Sequence, residues 1–187
     1  MMLYTIGFTQ KSLRQFMGLL REAQVDGVVD IRLRNVSQLA GFAKRDDLAF
    51  ILELCGIGYR HEPRLAPSDE LLDRYHRDHD WAAYEPDFAA LLAQRDVPAL
   101  LAEIERRFAR PCLLCTEPEP DQCHRRLVAE AFVRLRPGLE VRNLVLPRPR
   151  KAAASPRAAR RTGRRNVPAA TGVPATPAVP ARTEATS

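Results

Sequence analysis

The sequence predicts an α/β domain: a mostly parallel sheet of about five strands with helices on both faces, and a helical insertion between the third and fourth strands. Three observations predict it. Apolar runs of strand length alternate with segments of helical period through residues 1–146. The chain has 187 residues, which suits one ordinary domain better than two. It is 45% hydrophobic with only four cysteines, so a core without disulfide staples is expected.

The first strand is Leu3 to Ile6, closed by Gly7. Ser12 followed by Gln15 makes a capping box ahead of Leu13, Phe16, Met17 and Leu20, which share one helical face. Val28 to Ile31 reads as the second strand. Asp46 or Asp47 is the expected cap of a helix bearing Leu48, Ile51, Leu52 and Cys55, with Gly56 as its stop. Ile57 to His61 is the third strand, Cys112 to Cys115 the fourth and Val141 to Leu146 the fifth. The insertion carries three periodic sets: Leu71, Leu72 and Tyr75; Phe88, Leu91 and Leu92; and Leu100, Leu101, Ile104 and Phe108. Asp121 is the expected cap of a last helix with Leu127, Val128, Ala131 and Phe132 on one face, which puts Cys123 and His124 in its first turn.

Charge divides the chain. The net charge is +6, but residues 147–187 alone carry +8, leaving 1–146 at −2. The fold is therefore expected to be mildly acidic, with a basic tail rich in Ala, Pro and Arg that lacks the large apolar residues needed to offset the entropy of ordering. Two readings of the tail stand: non-specific nucleic-acid contact through 148–165, and a solubilising extension. No stretch approaches the roughly 18 apolar residues of a membrane helix, and the first thirty residues include Thr5, Gln10, Lys11, Arg14 and Asp26 where a signal peptide would be apolar. A soluble, cytoplasmic, reduced protein without membrane contact is expected.

In parallel sheets ligands bind outside the carboxyl ends of the strands. Three such ends carry unusual residues: Gly7-Phe8-Thr9, Asp30-Ile31-Arg32, and Cys115 to Arg126. Asp30 and Arg32 flank Ile31, so their side chains share a face and can bridge each other or a ligand. Cys123 at a helix start meets amides that favour its thiolate, opposed by Glu117, Glu119 and Asp121, so a thiol near its ordinary value is expected. A zinc site using Cys112, Cys115, Cys123 and His124 is argued against by spacing, because Cys112 and Cys115 on one strand point to opposite faces. A Cys115–Cys123 redox pair is geometrically easier. His61 reads as a structural histidine, and His76 and His79 receive no role.

These strand ends resemble the bacterial and archaeal family called domain of unknown function 488. The marks are Thr5-Ile6-Gly7 with Thr9; Val29-Asp30-Ile31-Arg32; Ser37 and Phe42 in the next loop; and Leu113-Leu114-Cys115-Thr116-Glu117 followed by Cys123-His124-Arg125. The match covers residues 3–146. Phe8 stands where many members have histidine, and Asn35-Val36 replaces a frequent proline, so a mechanism built on that histidine would not transfer. The resemblance implies an α/β fold with a shared pocket and names no reaction. It implies that Asp30, Arg32, Cys115, Glu117, Cys123, His124 and Arg125 converge on one site. The expected groups for chemistry are His124, Cys123 and Glu117, the expected ligand-binding residues are Gly7, Thr9, Asp30, Arg32, Ser37, Cys115 and Arg125, and no metal or cofactor is expected.

The layout also looks, at fold level, like rhodaneses and cysteine phosphatases, where a cysteine closing a strand is followed by an anion-cradling loop. Residues 116–122 contain no glycine, two prolines and three acids, which disfavours such a loop. The expectation is a pocket for a small polar or anionic molecule, phosphorylated or nucleotide-like, held by Arg32, Arg125 and Glu117 with His124 as proton carrier. Nucleic-acid binding through the tail and thiol-based enzyme chemistry are the alternatives.

Overall fold

The computed structural model describes residues 2–147. Its elements are β1 (Met2–Gly7), α1 (Leu13–Glu22), β2 (Gly27–Asp30), α2 (Arg45–Leu54), β3 (Gly58–His61), α3 (Asp69–Asp78), α4 (Trp81–Ala93), α5 (Val97–Arg107), β4 (Pro111–Cys115), α6 (His124–Leu135) and β5 (Glu140–Leu144). The five strands form one wholly parallel sheet in the order β3-β2-β4-β1-β5. The basic tail expected from the sequence lies, from residue 148 onward, outside the described residues. Among the described residues no helix is long and apolar enough to cross a membrane.

Strand alternation sorts the core into two layers. Tyr4, Ile6, Val28, Cys112 and Leu114 face α1 and α2 with Phe16, Leu20, Leu48 and Leu52. Leu3, Val29 and Leu113 face the insertion helices and α6 with Phe88, Leu100, Ile104, Val128 and Phe132. Phe108, just past α5, packs so closely on β2 that a Cβ on Gly27 would fall 2.1 Å from its ring. The chain leaves β2 toward the first layer and β4 toward the second, so these neighbouring strands part at their carboxyl ends. A parallel sheet opens a crevice at such a point.

Local signals hold where the chain alone decides them. Ser12 caps α1 with a reciprocal bond to Gln15, and Gly56, at φ 69°, turns the chain after α2. Two caps differ from expectation. Lys44 is the N-cap of α2 and makes no side-chain cap bond, while Asp46 and Asp47 sit in its first turn, where carboxylates still favour the helix dipole. Helix α6 begins at His124 with Cys123 as N-cap, not at Asp121. Tight turns through 121–122 consume the residues that the periodicity would have extended into helix: the Cys123 amide donates to the Pro120 carbonyl, and Arg126 Nε donates to the Asp121 carbonyl. Strand ends shift by one or two residues: Ile31 lies past β2, Ile57 before β3, and Val145 and Leu146 past β5.

Candidate functional site

At the end of β2, Asp30 is fully buried and takes bonds from Arg32 Nε (2.8 Å) and Arg32 Nη2 (2.6 Å). Tyr59 OH (2.7 Å), Asn35 Nδ2 (3.1 Å) and the Arg32 amide (3.1 Å) also donate to it. Burial opposes its charge, yet the Arg32 guanidinium and the other donors outweigh that and hold its carboxyl below the usual range. The tyrosine is pushed up by burial and by the carboxylate it faces. Arg32 also donates to the Ala43 carbonyl (2.8 Å), and its guanidinium lies 5.1 Å from the centre of the Phe8 ring. His61 Nε2 sits 2.9 Å from the Arg32 carbonyl, a structural contact as its sequence context suggests.

At the end of β4, the loop from Thr116 is clamped from behind. Thr9 donates through Oγ1 to the Thr116 carbonyl (2.6 Å). Arg125, with no exposed surface, donates to the Glu117 carbonyl, the Pro118 carbonyl (3.2 Å) and Cys123 Sγ (3.3 Å). Gly7 lies directly under the Glu117 carbonyl oxygen, 1.6 Å from where a Cβ would stand. The loop therefore has one seat, and it places Cys115 and Cys123 together.

Cys115 shares the parity of Leu113, the opposite of Cys112, so the spacing argument against a site shared with Cys112 holds. Cys115, Cys123 and His124 nonetheless converge without it, with their ligating atoms within 4.8 Å of one another. His124 Nδ1 is 3.5 Å from Cys115 Sγ, and Nε2 is 2.9 Å from the Ile31 carbonyl oxygen. A carbonyl only accepts, so Nε2 is a nitrogen that carries a proton; Cys115 Sγ lies 3.5 Å from Nδ1 and 3.9 Å from Nε2, over the face of the ring.

Burial pushes the Cys115 thiol up, but the Cys123 thiol, the Arg125 charge and the Thr116 and Glu117 amides outweigh it and bring it below its ordinary value. Cys123 goes the other way: burial and the neighbouring Cys115 hold it well above the ordinary value. This corrects the expectation of a near-ordinary Cys123, because burial and a second sulfur decide its state, not the balance of helix end and surface carboxylates. Burial alone raises Cys112.

A cleft of about 220 Å³ opens onto these groups. Cys115, Cys123 and His124 form its floor and Arg32 one side, with Glu117 also lining it. Part of its lining is aromatic: Trp81 stacks on Tyr84 with ring centres 5.1 Å apart, and Tyr75 meets Tyr84 at 4.9 Å. Burial and the nearby sulfurs raise the Tyr84 phenol. Of the residues expected from the sequence, Arg32, Cys115, Glu117, Cys123 and His124 line the cleft, while Gly7, Thr9, Asp30 and Arg125 stand behind it and fix its shape. Ser37 lies elsewhere, exposed, accepting a bond from the Leu39 amide in a short 3-10 turn.

The aromatic wall was not legible as a site. Tyr75 reads only as a periodic helix position, Trp81 and Tyr84 carry no motif, and His76, given no role, lies on the rim. The one usable signal was the chain's single tryptophan within six residues of four aromatic or imidazole side chains, Tyr75, His76, His79 and Tyr84.

No curated protein and no solved structure matches the chain. The family model described as "Domain of unknown function DUF488" matches residues 12–132, which spans the core from α1 to α6 and includes Asp30, Arg32, Cys115, Cys123 and His124. That match covers well over half of the chain, and the protein belongs to the DUF488 family.

Proposed function

We propose that the cleft at the carboxyl ends of β2 and β4 binds a small molecule with a flat apolar part and a polar or anionic end, and that Cys115 is the group that reacts with it. The observation that carries this reading is the placement of Cys115 Sγ in an aromatic-walled cleft, 3.5 Å from Nδ1 of His124, whose other nitrogen is held by the Ile31 carbonyl. Nucleophilic thiols are recognised by an adjacent base that is itself oriented by a third group, here the Ile31 carbonyl. Tyr75 and Trp81 offer apolar ring surface to the flat part, with Tyr84 stacked behind Trp81. Arg32 supplies positive charge at the side of the cleft.

The purely anionic pocket is less well supported, since Arg125 spends its donors on loop carbonyls and Arg32 is paired with Asp30. Chemistry at the sulfur is favoured over charge recognition alone. The test is alkylation of chelator-treated protein by iodoacetamide, followed by peptide mass mapping. Cys115 should react about tenfold or more faster than Cys112, which has no base beside it, and His124→Ala should slow Cys115 while leaving Cys112 unchanged. Equal rates for Cys115 and Cys112 in the folded protein would overturn the reading.

A further inference from the structure

The same floor has the donor set of a soft-metal site. Two sulfurs and an imidazole nitrogen, all buried, have their ligating atoms within 4.8 Å of one another. Zinc takes sulfur at about 2.3 Å and imidazole nitrogen at about 2.0–2.1 Å in a tetrahedron, which places a bound S and N about 3.5 Å apart. The Cys115 Sγ to His124 Nδ1 distance is 3.5 Å. The separation is that of two ligands of one ion, but the sulfur also lies 3.9 Å from Nε2, over the ring, so a turn of the Cys115 side chain brings it to the ion on the Nδ1 lone pair.

The surroundings agree in three further ways. Imidazoles that bind metals donate their other N–H to a carboxylate or carbonyl, which fixes ring and tautomer; His124 Nε2 does this with the Ile31 carbonyl at 2.9 Å. A metal-bound thiolate keeps lone pairs for N–H donors, and Arg125 Nη1 is 3.3 Å from Cys123 Sγ. Two thiolates cancel the charge of a divalent ion, so the buried guanidinium faces a neutral centre. Finally, three protein ligands leave a fourth position, and the side that is not protein is the cleft, which also provides the ion's way in. Hard oxygen-seeking ions are disfavoured by sulfur donors.

We propose that Cys115, Cys123 and His124 form a three-ligand site for zinc whose fourth position opens into the cleft. This rests on the placement of Cys115 at the cleft floor used in the preceding reading, and it gives that thiol a second state in which the metal masks it. On binding, the ion exchanges water for two sulfurs and Nδ1, and any thiol proton still held by Cys115 or Cys123 passes to solvent. No electron moves.

The experiment uses the full chain, reduced and stripped with a chelator, titrated with zinc against a competing chromophoric chelator and separately with cobalt(II). One ion per chain is expected, with the sulfur-to-cobalt charge-transfer band and intense visible bands of a tetrahedral thiolate site. Second-layer changes at metal sites cost about 10–100-fold in affinity, so Cys115→Ser, Cys123→Ser and His124→Ala should each cost at least about 100-fold, while Cys112→Ser leaves affinity unchanged. A zinc-dependent rise in the melting temperature of the parent, and zinc protection of Cys115 and Cys123 but not Cys55 from alkylation, provide readouts that do not need the variants to fold. Absence of stoichiometric binding, or binding that survives the Cys115→Ser/Cys123→Ser double variant, overturns the site. Fast Cys115 alkylation without zinc binding would leave the thiol reading standing and remove the metal, whereas tight zinc binding with a slow Cys115 would do the reverse.

Discussion

The carbonyl oxygen of Glu117 occupies the space that any side chain at Gly7 would need, 1.6 Å from the position of a Cβ. The end of β1 thus serves as the seat of the loop that follows β4. Arg125 donates to that same carbonyl, and its Nη1 is 3.0 Å from the same Cβ position, so loop, glycine and guanidinium form one unit.

Gly7→Ala should therefore displace the loop. Forcing a methyl group into a filled site typically costs about 1–3 kcal/mol, and here the neighbour is backbone, which cannot rotate away. A drop of that size in unfolding free energy, read from urea midpoints, should come with altered alkylation of Cys115, because the loop that leads from it to Cys123 and His124 loses its seat. Unchanged stability and unchanged Cys115 reactivity would show that the loop has other seats.

Asp30 ties stability to acid. Its folded carboxyl is held below the ordinary value, so its contribution is fully present above the unfolded value of about 3.9 and is lost as pH falls through the lower folded value. Breaking one side of a buried ion pair costs about 3–5 kcal/mol. Asp30→Asn should destabilise by that order at pH 7, and the difference between parent and variant should shrink as pH is lowered below about 4. Urea midpoints from pH 7 to pH 3 measure this, and a difference independent of pH would remove the charge of Asp30 from the account.

The single tryptophan reports on the cleft. Trp81 lines its wall, so benzoate or phenyl phosphate entering the cleft should change its fluorescence saturably. Aromatic contacts are worth about 0.5–1.5 kcal/mol beyond area burial, so Tyr75→Leu should weaken binding by about 2–13-fold. No change in emission with either probe at millimolar concentration would argue that the wall is core and not a binding surface.

Much of this molecule is written in short-range spacing. The Ser12–Gln15 capping box, the stop at Gly56, the shared face of Asp30 and Arg32, and the opposite parity of Cys112 and Cys115 all follow from residues a few positions apart. Backbone geometry relates such neighbours in the same way wherever the segment ends up. That the candidate residues would gather at the carboxyl strand ends was legible for the same reason, since ligands of a parallel sheet bind outside those ends.

What tertiary structure alone decided is who meets whom across those ends. β4 enters between β2 and β1, which brings His124 to the Ile31 carbonyl, 93 positions away, and sets the Cys115 sulfur against its ring. Arg125 reads from the sequence as a ligand-binding cation, yet burial turns it onto loop carbonyls that would otherwise lose their water unpaired. Tyr75, Trp81 and Tyr84 look like helix-core residues until the insertion folds back over the strand ends and leaves one of its faces against an open cleft. Spacing along a chain determines which face a side chain takes, but the group opposite that face is set by packing between segments distant in sequence, through a balance of burial and hydrogen bonding that no local pattern encodes.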